Sequence, residues 1–103
     1  MAEAATSNVF LVMGGSLVTP SLDSGILPGI TRAQVIKLAR KSGFKVIERR
    51  VMRRELYSAG EIFLTNSLSG LIPVTRVDRR KIGPGLPGPI TKLLFSNYRL
   101  LTV

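Results

Sequence analysis

The chain has 103 residues, a net charge of +9, 45 % hydrophobic and 20 % charged residues, and neither cysteine nor histidine. That length supports one domain around one core, and the composition is globular rather than disordered. The missing residue types exclude a disulfide framework, a thiolate metal site and a histidine general base, so proton transfer falls to Lys, Asp, Glu, Tyr or a cofactor.

Asn8 to Met13 is an apolar run, Gly14-Gly15 follows, and Ser16 to Thr19 is again strand-like. Two strands around a Gly-Gly turn predict a hairpin, ended by Pro20. Residues 21–30 hold Asp23, Ser24, Gly25, Pro28 and Gly29 and read as a loop. A helix is then expected, with Thr31 as N-cap and Gln34 as its capping-box partner. Its apolar face is Ala33, Val35, Ile36, Leu38 and Ala39, its polar face Arg32, Lys37, Arg40 and Lys41, and Gly43 fits the position just after its end. Residues 44–51 read as a strand, 53–59 as a short helix and 61–65 as a buried strand, broken by residues 66–70. Residues 71–77 read as a further strand, with Pro73 suggesting an edge or a bulge. Asp78-Arg79 is turn-like, residues 83–89 form a stiff loop, and a last helix is expected over about 90–100 with Ile90, Leu93, Leu94, Tyr98 and Leu101 on one face. The class is mixed α/β, with some parallel or barrel-like pairing. No apolar run approaches the roughly 20 residues of a membrane span. The first six residues have no basic n-region and no long apolar h-region, so no secretory signal, no membrane partner and a cytoplasmic location are expected.

Three segments could carry chemistry. Residues 25–32, Gly-Ile-Leu-Pro-Gly-Ile-Thr-Arg, run from a loop into a helix, where free N–H groups and the positive helix end suit a phosphate. An ordinary capped helix would show the same pattern. Residues 65–70, Thr-Asn-Ser-Leu-Ser-Gly, follow a buried strand, where Ser67 could donate to an anion or merely sit in a turn. Glu3 is a lone acid before the first strand and reads by itself as a surface charge. No metal site is expected. Basic clusters at Arg49 to Arg54 and Arg79 to Lys81 raise a different class, a nucleic-acid-binding module. No aromatic residues alternate with these arginines and no RNA-binding motif is present, which argues against it.

These stretches, with residues 3–10 and 17–20, Glu48, residues 55–56, 59–63 and 73–74, and residues 88–91 (Gly-Pro-Ile-Thr), resemble in order and spacing the class IV pyridoxal-phosphate (PLP) enzymes. That family holds branched-chain and D-amino acid aminotransferases and aminodeoxychorismate lyases. The resemblance implies the barrel-like larger domain of the D-amino acid aminotransferase-like fold (fold type IV), incomplete, with residues 1–103 as its C-terminal cofactor-binding domain and the N-terminal domain absent. It implies pyridoxal 5′-phosphate as cofactor, Glu3 facing the pyridine nitrogen, and Ile30, Thr31 and Ser67 on the phosphate. Leu68 and Ser69 fall where N–H groups meet a substrate carboxylate. None of Lys37, Lys41, Lys45, Lys81 and Lys92 falls at the family's Schiff-base lysine, so no catalytic residue is assigned and the chain alone is expected to be inactive. Where family members often have Asp-Gly, this chain has Asp78-Arg79. The resemblance also implies a homodimer and an amino acid or aminodeoxychorismate-like substrate. Leu68, where branched-chain aminotransferases tend to have small residues, tilts the reading toward the lyase, with the branched-chain or D-amino acid aminotransferase as the alternative.

Overall fold

The computed structural model describes residues 8–21, 29–66 and 70–102. The elements are β1 (Asn8–Met13), β2 (Ser16–Thr19), α1 (Ile30–Lys41), β3 (Lys45–Glu48), α2 (Arg53–Ser58), β4 (Glu61–Asn66), β5 (Gly70–Val74), β6 (Arg76–Val77), β7 (Arg80–Lys81) and α3 (Pro89–Thr102). Five strands form one open sheet in the order β3-β2-β1-β4-β5, and β6 and β7 form a separate ribbon. The barrel-like expectation is therefore met by an open sheet among the described residues. β2 and β3 pair in parallel across α1, and every other strand pair is antiparallel.

Gly14 and Gly15 both have positive φ, 59° and 82°, the mirror-image turn that joins β1 to β2 without splaying them. Strand alternation then sorts the side chains. Phe10 and Val12 of β1, Leu17 of β2, Phe63 of β4 and Leu71 of β5 share one core cluster with Val35, Ile36 and Ala39 of α1 and Leu94 of α3. The rings of Phe10 and Phe63, directly opposite in register, stack 5.0 Å apart at an interplanar angle of 5°. The other sheet face carries Leu11, Val18 and Ile62, packed with Ala59, Ile82, Leu56 and Val77. Pro73 lies in the outermost strand β5 and is exposed, so it breaks no interior ladder.

Helix ends depart from the expectations in instructive ways. α1 begins two residues early: Gly29, not Thr31, is its N-cap and makes no side-chain cap. Thr31 is a buried first-turn residue and not the cap, and Gln34 is exposed. Arg32, expected on the polar face, is 4 % exposed, whereas Ala33, expected on the apolar face, is exposed. Gly43, φ +93°, follows the C-cap Ser42 as expected. α3 starts at Pro89, suited to a first helical turn because its missing N–H is not needed there. Its first N–H groups meet a carboxylate from another strand: Glu61 accepts from Ile90 at 3.2 Å and Thr91 at 2.8 Å. A Cβ on Gly88 would fall 2.0 to 2.2 Å from the Glu61 side chain, so glycine makes room for that acid. Leu93, expected in the buried stripe, is 45 % exposed.

Candidate functional site

Seven polar or charged side chains are buried among the described residues, and five of them (Asn8, Thr19, Thr31, Arg32 and Thr65) belong to the N-terminal end of α1 and the sheet end beneath it. The topology explains the concentration. β1 starts at Asn8, β2 ends at Thr19, β3 ends at Glu48 and β4 ends at Asn66, with Asn8 opposite Thr65 and Thr19 opposite Glu48. α1 begins over the same end, because a Cβ on Gly29 would lie 2.6 Å from Oδ1 of Asn8. A side chain at position 29 would have to displace the Asn8 amide.

Each buried group has a reason to be there. The Thr19 hydroxyl donates to the Val9 carbonyl at 2.7 Å. Arg32 reaches under the helix and donates from Nη2 to Glu48 at 2.8 Å and to the Pro20 carbonyl at 3.1 Å. It thus ties the first turn of α1 to the ends of β2 and β3. Its Nε is buried without a partner among the described residues. A guanidinium in the first turn opposes the helix dipole, and Glu48 at 2.8 Å offsets part of its charge.

The start of α1 differs from that of α3. The first closed helical bond runs from Ala33 N–H to the Gly29 carbonyl, and among the described residues no side chain caps the turn and no acid lies in it. A helix leaves its first N–H groups without intrahelical partners. Those of Ile30, Thr31 and Arg32, beside the Thr31 side chain and the Arg32 charge, have the donors and the sign to hold a phosphate. This residue set fits the phosphate of a cofactor such as PLP. Ile30 itself is 78 % exposed, so its backbone and not its side chain is the useful group.

Glu3, Ser67, Leu68 and Ser69 lie outside the described residues. Thr31 and Ile30 are placed at the polar end, and Asn8, Arg32, Glu48 and Thr65 join them there. The signal for Arg32 was its place inside Leu-Pro-Gly-Ile-Thr-Arg; the signal for Asn8 was weaker, a polar residue opening an apolar strand. The five lysines are all exposed: Lys37 and Lys41 on α1, Lys45 at the start of β3, Lys81 on the ribbon and Lys92 near the start of α3. None is buried at the polar end. Among the described residues no group of three or more acids could hold a metal, and no helix is long and apolar enough to cross a membrane.

Residues 1–77 match the family model of class IV amino-transferases, and the chain belongs to that family. A Thermotoga maritima protein named "Probable branched-chain-amino-acid aminotransferase" is 50 % identical over 96 residues, 93 % of this chain and 35 % of that protein. The crystal structure of the Escherichia coli branched-chain amino acid aminotransferase superposes with a TM-score of 0.90 at 40 % identity, over 92 % of this chain and 32 % of that one. The PLP form of the Thermobaculum terrenum branched-chain enzyme gives 0.89 at 46 % identity, over 92 % and 31 %. The chain thus spans about a third of the length of these relatives. The mixed α/β fold is that of the class IV aminotransferases.

Proposed function

We propose that this chain is the phosphate-gripping part of a PLP-dependent branched-chain-amino-acid aminotransferase. The observation that carries the reading is the start of α1, buried at Thr31 and Arg32 and, among the described residues, without a side-chain cap or an acid in its first turn. The relatives' names support the branched-chain alternative over the aminodeoxychorismate lyase toward which Leu68 had pointed.

In this reading the N–H groups of Ile30 and Thr31 and the Thr31 hydroxyl hold the cofactor phosphate. Ser67, which follows β4 in the sequence, adds a hydroxyl. Glu3, just before β1, keeps the pyridine nitrogen protonated, and the N–H groups of Leu68 and Ser69 meet the substrate carboxylate. When bound, PLP supplies an electron sink for the amino acid's α-carbon. The five exposed lysines leave the covalent anchor to residues other than those of this chain.

The test is a fluorescence titration of the 103-residue chain with pyridoxine 5′-phosphate and with pyridoxine. Binding should require the phosphate, and Thr31→Ala should weaken it about tenfold, the loss of one charge-assisted hydrogen bond of about 1.4 kcal/mol. Equal affinity for both compounds, or an unaffected Thr31→Ala, rejects the site. Fused behind a family N-terminal half, the chain should transfer the amino group of leucine; release of pyruvate from aminodeoxychorismate instead would restore the lyase.

A further inference from the structure

We propose that α2 and the β6–β7 ribbon form one face that binds the phosphate backbone of a nucleic acid without reading its bases. The two arginine clusters are far apart in sequence, and the fold joins them. Arg53 donates to Oδ2 of Asp78 at 2.5 Å, and the Tyr57 hydroxyl donates to the same oxygen at 2.5 Å. The guanidinium carbon of Arg80 sits 4.7 Å from the centre of the Tyr57 ring. Asp78 and Arg79 take positive φ, 49° and 68°, so Arg79 is held at the tip of a tight turn whose other residue is pinned to α2.

The charge on this face is not balanced within it. Its acids are committed: Glu55 pairs with Arg49 at 2.6 Å and Asp78 with Arg53. Arg50, Arg54, Arg79 and Arg80 are exposed, and among the described residues no carboxylate lies within ion-pair distance of them. Exposed like charges on two short, mutually pinned elements cost self-repulsion that a polyanion relieves. Guanidinium groups suit phosphate oxygens because they can donate two parallel bonds.

The same contacts say what the face does not do. Tyr57 is covered on its ring by Arg80 and engaged at its hydroxyl by Asp78, so it offers no stacking platform. Binding is then sequence-independent and carried by counterion release. Leu56 and Val77 pack on the sheet face opposite α1, so the surface is separate from the start of α1 and does not compete for that phosphate.

The experiment is a polarisation titration of the full chain with a mixed-sequence single-stranded oligonucleotide and with polyglutamate, over a threefold range of salt. One variant carries Arg50→Gln, Arg54→Gln and Arg79→Asn; Arg53, Tyr57, Asp78 and Arg80 stay, so the face keeps its shape. A control, Lys37→Gln with Lys41→Gln and Lys45→Gln, removes the same charge elsewhere. Three lost phosphate contacts should reduce the log–log salt slope by about 2 for a single strand and weaken low-salt binding at least tenfold, whereas the control should change affinity less than threefold. No oligonucleotide binding at low salt, equal losses in the two variants, or equal affinity for polyglutamate overturns the proposal.

Discussion

Arg32 is the residue whose position asks most for an explanation. Its guanidinium is almost wholly buried, stands at the wrong end of a helix for its charge, and leaves Nε without a partner among the described residues. Its ion pair with Glu48 does not justify that cost, because replacing a buried pair by an apolar group of similar size is often neutral or stabilising. Glu48 is 37 % exposed on its side chain and has Arg40 at 3.8 Å, so it would not be stranded in the core if Arg32 lost its charge. Arg32→Met removes one partner only and takes the donor from the Pro20 carbonyl, so it should cost about 1–3 kcal/mol. It should also weaken pyridoxine 5′-phosphate several-fold, since a positive charge beneath the helix start is lost. Urea midpoints of the unliganded variant and a phosphate-ester titration separate the two effects. A loss of more than about 3 kcal/mol with unchanged affinity would make Arg32 a structural strut alone.

At the scale of elements, α2 is short, buries no side chain fully, and depends on charged contacts at its ends. The Glu55 carboxylate accepts two bonds from Arg49, at 2.6 and 3.1 Å, and one from the Met52 N–H at 2.7 Å. The Arg49 bonds, then the Met52 bond, pull its pKa down from 4.5 to about 2. Asp78 is lowered in the same direction by the Tyr57 hydroxyl and then by Arg53. A depressed folded pKa means that the unfolded chain takes up the proton first, so the contribution is present above about pH 4.5 and lost as pH falls toward 2. Denaturation midpoints should stay level above that range and decline through it. Glu55→Gln should be the less stable protein at neutral pH, with a shallower acid decline that meets the parent curve near pH 2. Parallel curves for the two proteins would show that Glu55 is not the group being titrated.

For the molecule as a whole, sequence reading succeeded where a signal is local. The Gly14-Gly15 hairpin, the apolar stripe of Val35, Ile36 and Ala39, and the tight turn at Asp78-Arg79 each depend on neighbours a few residues away. It failed where the partner is distant. Arg32 meets Glu48 sixteen residues on and Glu61 meets Thr91 thirty residues on, and no periodicity carries such pairings. The polar end of the sheet was only half legible, since Thr31 could be found in its motif but Asn8, Thr19 and Thr65 become a group only when the strands pair. The sheet core is where those distant pairings are enforced. Phe10 and Phe63 are both fully buried, stack between the helices and the central strands, and join segments more than fifty residues apart. Phe63→Ala should cost about 3–5 kcal/mol, the lost burial plus the cavity left in a packed core. A chain this size has a total of roughly 5–15 kcal/mol, so that change should bring it near the edge of folding, with a far lower urea midpoint and an unchanged slope. Phe63→Leu keeps most of the volume and should cost less than about 1.5 kcal/mol. Equal midpoints for the two variants would mean that this stack is not the hinge of the core.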